Sequence, residues 1–247
     1  MENHLQIEKN NMEHILFLDI ETVSITESYF QLDARMQRLW DKKCERIKKT
    51  EEQTPEQLYQ RAGIYAEFGK VICISAACFR GDKLRVKSYI NEEEKILLQK
   101  FSDLLNKSFS ENHHKLCAHN GKEFDFPYLC RRMLVNGISI PKILDVSGKK
   151  PWETSFFDTM EMWKFGDYKS YTSLDLLAAV FGIPSPKDDI DGSMVYETYW
   201  KFKNLEQIKT YCEKDVLTVV QLFLRYHGKE MLTNHQIVIT TSEGIKE

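Results

Sequence analysis

Residues 14–22 read His14-Ile15-Leu16-Phe17-Leu18-Asp19-Ile20-Glu21-Thr22, and this stretch decides the fold. Four apolar residues in a row, from Ile15 to Leu18, predict a buried strand, which we place at residues 14–20. Asp19 and Glu21 are two positions apart, so both side chains point to the same face of an extended chain. The strand therefore carries two carboxylates directly after its apolar run.

Two neighbouring carboxylates repel each other and lose solvation beside a hydrophobic strand. A bound cation would relieve both penalties, and hard oxygen ligands suit Mg²⁺ or Mn²⁺. A strand that ends in solvent at Asp19, with Glu21 already in a turn, fits the same residues equally well. Residues further along the chain are needed to decide between these interpretations.

The composition is that of an ordinary globular protein. The 247 residues are 42% hydrophobic and 29% charged, enough for one large or two small domains. No apolar run approaches the roughly 18 residues that span a bilayer, and the polar start of the chain is unlike a signal peptide. The six cysteines form no C-x-x-C pair. We therefore expect a cytoplasmic protein with reduced thiols and no membrane partner.

The net charge of −3 argues against a protein coated with positive charge for nonspecific nucleic-acid binding, although it permits a local basic groove. Strands come first in hairpin order and then alternate with helices, which predicts an α/β fold with one mixed sheet of about five strands flanked by helices. The predicted domain spans residues 13–230, between tails at 1–12 and 231–247. The predicted strands after the first are 71–79, 84–90, 115–119 and 156–158, and the predicted helices lie near 28–48, 92–107, 125–136, 172–181, 192–201 and 204–227.

Residues 27–62 form a charged helical insertion between the first two strands. Thr54 and Pro55 predict the start of a second, short helix within it, with Thr54 as the N-cap. Basic residues outnumber acidic ones locally, which fits either a solvated helix face or a surface that contacts phosphates. The basic residues are Arg35, Arg38, Lys42, Lys43, Arg46, Lys48 and Lys49.

Two acidic sites further along the chain stand out by their context. Asp125 follows a predicted strand and opens a helix, which suits either a functional carboxylate or a simple N-cap. Tyr211 and Asp215 are four residues apart on the last predicted helix, so they share a face that borders its apolar stripe. Taken alone, this pair also fits a packed tyrosine beside a solvated aspartate.

Together, the three sites resemble the tyrosine branch of the DEDD superfamily of 3′–5′ exonucleases. The histidine branch has His five residues before the last Asp, where this chain has Thr210. Over residues 14–227 the chain is similar to stand-alone relatives of the proofreading exonuclease domain of family B DNA polymerases, and the stretches 67–72 and 189–193 share this similarity. The three motifs are Asp19-Ile20-Glu21-Thr22, Asn120 through Phe124-Asp125, and Tyr211 through Asp215.

The resemblance implies an RNase H-like fold and a metal-dependent 3′–5′ exonuclease. The substrate would be the 3′ end of single-stranded nucleic acid, with DNA favoured over RNA, and the products nucleoside monophosphates. Two divalent cations, Mg²⁺ or Mn²⁺, would be held by Asp19, Glu21, Asp125 and Asp215, with Asp19 between the two ions. These four residues and Tyr211 form the implied catalytic set.

The resemblance also implies roles in positioning water and substrate. Tyr211 would orient the attacking water, because a phenol with a pKa of about 10 is a poor base at neutral pH. Thr22, Asn120 and Phe124 would contact the substrate. Further candidates for base stacking and phosphate contacts are Trp163, Phe165, Tyr168 and Tyr171, with Lys164 and Lys169.

A catalytically silent nucleic-acid-binding module on the same fold is the main alternative. The complete set of five motif residues argues against it, because a binding module gains nothing from an unfavourable carboxylate cluster. In a third interpretation the protein is structural and the motifs are coincidental. Stabilisation by Mn²⁺ would exclude that interpretation.

Overall fold

The computed structural model describes residues 9–150, 153–154, 156–167, 171–184 and 190–240. The strands are β1 (Ile15–Ser24), β2 (Gly69–Arg80), β3 (Lys83–Ile90), β4 (Lys115–Ala118), β5 (Phe157–Asp158) and β6 (Ile237–Thr240). They form one mixed sheet in the order β5-β4-β1-β2-β3-β6. β2 is antiparallel to β1 and β3, whereas β4 is parallel to β1 and β5 is parallel to β4.

Helices cover both faces of this sheet. α8 packs on β1, β2 and β3, and α3 packs on β2 and β3. Within the described residues the helices are α1 (Ala34–Ile47), α2 (Pro55–Leu58), α3 (Glu94–Ser108), α4 (Asp125–Val135), α5 (Thr159–Lys164), α6 (Leu174–Phe181), α7 (Val195–Trp200) and α8 (Leu205–Tyr226). The predicted α/β fold is confirmed, with six strands instead of about five.

The side chains of β1 alternate between two hydrophobic cores. Leu16 belongs to the core under α3 and α4. Phe17 points to the other face, where its ring centroid lies 5.2 Å from that of Phe223 on α8. Because successive side chains of a strand point to opposite faces, Asp19 and Glu21 continue the row of Phe17 towards α8.

β1 is longer than predicted. The sequence predicts an end at residue 20, but the strand continues to Ser24 because β2 pairs with it throughout this part. The register shifts at the carboxylates: Glu21 lies opposite Cys73, whereas Thr22 lies opposite Val71. Such an irregularity bends a strand and changes where its side chains point. Glu21 is therefore part of the sheet and not of a turn.

The insertion between β1 and β2 is helical, as predicted, and has a hydrophobic core of its own. Trp40 is fully buried, and its Nε1 donates a hydrogen bond to the carbonyl oxygen of Pro55 at 2.8 Å. The first helix begins later than predicted, at Ala34, because the Asp33 side chain caps it. Thr54 caps α2 as predicted.

The end of the insertion packs tightly on β1. A 3₁₀ segment, Tyr59–Ile64, contacts β1 there. A side chain at Gly63 would place its Cβ 2.9 Å from the Cα of Val23, closer than carbon atoms normally approach. Glycine at this position thus allows the backbone of the insertion to lie against the strand that carries Asp19 and Glu21.

The prediction of a tail at 231–247 is wrong for residues 237–240, which form β6 in parallel with β3. The Gln221 side chain holds the segment before this strand in place. Its Nε2 donates a hydrogen bond to the Leu232 carbonyl oxygen, and its Oε1 accepts one from the Leu232 amide. Pattern analysis missed β6 because a short, half-exposed edge strand lacks a buried face. Residues 241–247 lie outside the described part of the chain.

The prediction of a tail at 1–12 also needs correction. Lys9–His14 form a 3₁₀ turn, and Met12 is buried against the core under α8, while residues 1–8 lie outside the described range. The short helix α5 was not predicted either, because six residues are too few for a helical pattern. Among the described helices, none combines the length and the apolar character needed to cross a membrane.

Candidate active site

Asp19 and Glu21 lie side by side on β1 and meet a thiol from α8. One carboxylate oxygen of each residue and the Cys212 Sγ lie within 4.8 Å of one another. Glu21 is buried. Side chains alternate along β1, and Phe17 points towards α8. Asp19 and Glu21 occupy the next two positions on the same face, so they also point towards α8.

α8 contributes Tyr211 and Asp215 from one face, as their four-residue spacing predicts. The Tyr211 hydroxyl is hydrogen-bonded to the Asp215 carboxylate. The charges of Asp215, Glu21 and Asp19 all act on the Tyr211 phenol. The first and third motifs therefore meet between β1 and α8.

Asp125 reaches the same cluster from the start of α4. It is the first residue of the helix and is buried. Its carboxylate is hydrogen-bonded to the backbone of Ile20, the residue between the two carboxylates of β1. Asp125 is thus not the N-cap, which is Phe124. The structure brings all five predicted catalytic residues together.

Burial and mutual repulsion make these carboxylates hard to ionise. Burial raises the pKa of Asp19, and the negative charges of Asp215, Glu21 and Asp125 raise it further. The pKa of Glu21 is raised for the same reasons, with burial first and Asp215 next. Burial raises the pKa of Asp125 to about 7, although hydrogen bonds from the backbone oppose this shift.

Tyr211 cannot act as an ionised base in this environment. Burial raises the pKa of its phenol far above the usual value, and the charges of Asp215, Glu21 and Asp19 raise it further. The hydroxyl therefore stays protonated and donates its hydrogen bond. This confines Tyr211 to orienting a neighbouring group.

Two cysteines, Cys212 and Cys73, lie beside the carboxylates of β1. The Cys212 Sγ lies 3.3 Å from Oδ2 of Asp19 and is also hydrogen-bonded to Cys73, which faces Glu21 across the β1–β2 pair. Burial raises the pKa of the Cys212 thiol well above its usual value, so it remains an uncharged donor. The sequence analysis treated all cysteines as core residues and missed this contact. The position of Cys212 between Tyr211 and Asp215 was the signal that could have revealed it.

Asp158 on β5 was also missed, although it organises the second motif. It is buried, and its carboxylate accepts hydrogen bonds from the amides of Asn120 (3.0 Å) and Lys122 (3.1 Å). It also caps α5 through the amides of Met160 and Glu161. Asp158 thereby fixes the loop that leads to α4 and Asp125.

The three residues predicted to bind substrate lie around the carboxylates. Thr22 follows Glu21 and is half-buried. Asn120 has a left-handed backbone (φ 59°), and its side-chain oxygen is buried without a hydrogen-bond partner among the described residues. Phe124 is partly buried against Tyr128, with ring centroids 5.3 Å apart.

The aromatic residues considered for base stacking differ in placement. Trp163 packs between Phe181 and Tyr226 and is a core residue. Phe165 and Tyr171 are exposed, which leaves them accessible to a ligand. Tyr168 and Lys169 lie outside the described residues.

A cleft of about 390 Å³ adjoins the carboxylates between the insertion and the segment before α7. An added Cβ at Gly192 in its wall would lie 3.8 Å from the Tyr211 hydroxyl, so the cleft reaches the third motif. Its volume lies within the range of small-molecule sites. The cleft is lined by Thr22, Gln60, Arg61, Gly63, Ile64, Gly192, Ser193, Val195, Tyr196 and Glu197.

The carboxylate cluster fits divalent cations. Asp19, Glu21, Asp125 and Asp215 present oxygen ligands, which Mg²⁺ and Mn²⁺ prefer. The raised pKa values of Asp19 and Glu21 show that this arrangement is unfavourable without positive charge. Bound cations would provide that charge.

Comparison with known proteins agrees with the observed fold. No curated protein matches the chain. The family B DNA polymerase of the hyperthermophilic archaeon Pyrobaculum calidifontis has a similar fold, with a TM-score of 0.52 and 18% sequence identity. The similarity covers 85% of this chain but only 24% of the polymerase, so the chain spans about a quarter of that protein.

A family model matches residues 64–243, from the end of the insertion through the last strand. It includes the second and third motifs and begins after the first. The match covers well over half of the chain. This chain belongs to the family of predicted 3′–5′ exonucleases related to the exonuclease domain of PolB.

Proposed function

We propose that this protein is a metal-dependent 3′–5′ exonuclease that hydrolyses phosphodiester bonds at the 3′ end of single-stranded nucleic acid, with DNA as the preferred substrate. The observation that carries this proposal is the convergence of four carboxylates and Tyr211 from three separate motifs. Membership of the exonuclease family supports it.

Asp19, Glu21, Asp125 and Asp215 would hold two divalent cations, Mg²⁺ or Mn²⁺. When bound, such ions make an attacking water more acidic and stabilise the charge that develops on the phosphate and on the leaving 3′-oxygen. The protein supplies the fixed carboxylate geometry. β1, α4 and α8 are each anchored in the core, so the ligands need little rearrangement when the ions bind.

Tyr211 would orient the attacking water. Its hydroxyl stays protonated and is hydrogen-bonded to Asp215. Because the single O–H proton is donated to Asp215, the phenol oxygen would accept a hydrogen bond from the water and so restrict the direction in which it approaches phosphorus. The phenol would not take the proton of that water, because it stays protonated itself.

The cleft beside the carboxylates would hold the terminal nucleotide. Thr22, Ser193 and Gln60 line it with polar groups, and the exposed Arg61 offers a positive charge to a phosphate. Asn120 would contact the substrate from the other side, since its buried side-chain oxygen has no partner among the described residues.

The test uses single-stranded DNA and RNA oligonucleotides labelled at the 5′ end, with Mg²⁺ or Mn²⁺. We expect a ladder of products that shorten from the 3′ end, faster with DNA. Asp19→Asn and Asp215→Asn should lower the rate about 10³-fold or more, because each loses several kcal/mol of transition-state stabilisation. Both variants should still fold.

Two controls separate the proposal from its alternatives. Circular single-stranded DNA lacks a 3′ end and should remain intact, so cleavage of the circle at a comparable rate would identify an endonuclease. Binding of the linear strand without any cleavage, at all concentrations of either metal, would identify a catalytically silent binding module.

A further inference from the structure

Three imidazoles meet at the end of the sheet that lies opposite the carboxylates. β1 and β4 run parallel, with Ile15 beside Lys115. The residues just before them, His14 and His114, are therefore neighbours where both strands begin. His113 precedes His114 in the loop. Asp19 lies five residues after His14, about 16 Å away at the usual rise of a strand.

The three rings are close enough to share one ligand. One ring nitrogen of each residue lies within 4.8 Å of the others. The ring centroid of His113 lies 4.3 Å from that of His14 and 4.4 Å from that of His114. Nitrogens around a tetrahedral zinc ion are about 3.3 Å apart, given a Zn–N distance of about 2.0–2.1 Å. Small side-chain rotations would bring the three nitrogens to that separation.

The surroundings leave these nitrogens accessible. His113 is exposed, whereas His14 and His114 are half-buried, so an ion can enter from solvent. Within the described residues, neither the ring of His14 nor that of His113 has a hydrogen-bond partner. The Nδ1 of His114 accepts a hydrogen bond from the amide of Glu111 at 3.2 Å. This contact is long, and a bond to a metal ion could replace it.

The crowding of the rings acts on the pKa of one of them, His114. Burial lowers the pKa of His114, and the nearby imidazoles of His113 and His14 lower it further. Only a neutral imidazole has a lone pair for a metal ion. This shift is a consequence of the geometry and agrees with a ligand role.

We propose that His14, His113 and His114 form a binding site for one divalent transition-metal ion of the zinc class, separate from the carboxylate site. Imidazole nitrogen suits Zn²⁺, Co²⁺, Ni²⁺ and Cu²⁺, whereas Mg²⁺ prefers oxygen ligands. The two sites would therefore select different ions by ligand type. Zn²⁺ or its relatives would join the starts of β1 and β4, with solvent completing the coordination.

The experiment is a titration of the tag-free, full-length Asp19→Asn protein with Co²⁺, followed by visible absorption and by calorimetry. The substitution weakens metal binding at the carboxylate site, so the histidine site dominates the signal. We expect one tightly bound equivalent of Co²⁺ and the intense visible bands of a tetrahedral complex. Zn²⁺ should displace the Co²⁺ and abolish these bands.

His113→Ala in the same protein should remove the bands and weaken Co²⁺ binding at least about tenfold. Loss of a residue that merely supports a metal ligand already lowers affinity by about this factor. His235→Ala, which removes another exposed histidine, is the matched control and should behave like the parent. Equal melting temperatures of all three proteins without metal would confirm that they fold. Absence of tight Co²⁺ binding in the parent, or unchanged binding in His113→Ala, would overturn the proposal.

Discussion

The thiol of Cys212 donates a hydrogen bond to the carboxylate of Asp19, with Sγ 3.3 Å from Oδ2. The same sulfur lies 3.4 Å from the backbone carbonyl oxygen of Asp19. α8 is thus attached to β1 at the residue that would bind both cations. The contact adds no charge, and it favours the ionised form of Asp19 against the effects of burial.

Cys212→Ala should therefore weaken the response to metal more than it affects catalysis. Loss of one hydrogen bond of about 0.5–1.5 kcal/mol would raise the Mn²⁺ concentration for half-maximal activity roughly 3- to 10-fold. The kcat at saturating Mn²⁺ should change little. Cys130→Ala, which removes a partly buried thiol bonded to Leu144, is the control. An unchanged Mn²⁺ response in Cys212→Ala would mean that the thiol only fills space.

The raised pKa of Asp125 predicts how the stability of the metal-free protein depends on pH. In the folded state this carboxyl group titrates at about 7, but in the unfolded chain it titrates at about 4. The folded state therefore holds the extra proton between these values, and its contribution to stability is lost as the pH rises from about 4 to 7.

Asp125→Asn should remove this pH dependence. Its free energy of unfolding relative to the parent, measured by urea denaturation with EDTA, should increase by about 2–4 kcal/mol between pH 4 and 7 and then level off. Asp103→Asn, at an exposed position on α3, should show no such trend. A constant difference between Asp125→Asn and the parent at every pH would show that Asp125 ionises normally.

Tyr211→Phe should lower kcat and leave KM nearly unchanged. The loss of one orienting hydrogen bond should cost about 1–3 kcal/mol, or roughly 10- to 100-fold in rate. Tyr226→Phe is a matched control on the same helix, because the buried Tyr226 hydroxyl has no partner among the described residues. Full activity of Tyr211→Phe would show that the tyrosine has only a packing role.

The exposed basic residues of α1 should contribute to substrate binding if they contact phosphates. Lys48 pairs with Glu45 and Glu51, and Lys43 lies over the ring of Tyr65. Arg38, Lys42 and Arg46 are the better targets, because they are exposed. Changing all three to Gln should raise KM, with kcat close to wild type. The slope of log affinity against log salt concentration should become shallower by about 0.7 for each lost phosphate contact.

The control for this prediction is the removal of three exposed charges elsewhere, with Lys95, Lys100 and Lys107 on α3 changed to Gln. The oligonucleotide affinities of the α1 and α3 variants are measured at several salt concentrations and compared. Identical salt slopes would show that the charges of α1 form a solvated face. A fall in kcat would show that the insertion positions the chemistry.

Much of the fold follows from local patterns in the sequence. β1 and the β2–β3 hairpin are long and apolar, and α8 has a continuous apolar stripe, so periodicity identifies them. Spacing alone placed Asp19 with Glu21 on one face of β1 and Tyr211 with Asp215 on one face of α8. The resemblance to an exonuclease family was needed to group these residues with Asp125. β6 and α5 have too few residues to produce a pattern, and only their partners in the folded chain stabilise them.

The parts of the site that the sequence did not reveal depend on contacts between distant segments. Asp158 contacts Asn120 only because β5 pairs with β4. The cleft is lined by residues of the insertion and by residues near 192–197, which are far apart in the sequence. The histidine cluster requires the parallel register of β1 and β4, and adjacent His113 and His114 gave no metal spacing by themselves. Such groups become visible only when the strand order is known.

The junction of the insertion with the sheet determines how the segment between β1 and β2 can vary within the family. The insertion leaves β1 at Ser24 and returns at Gly69, and these two residues lie opposite each other in the ladder. The amide of Ile25 also bonds to the carbonyl oxygen of Phe68 at 2.9 Å, which closes the loop at its base. Residues 26–58 are therefore free to vary in length as one module, whereas Tyr59–Ile64 are fixed by their packing on the strand that carries Asp19 and Glu21.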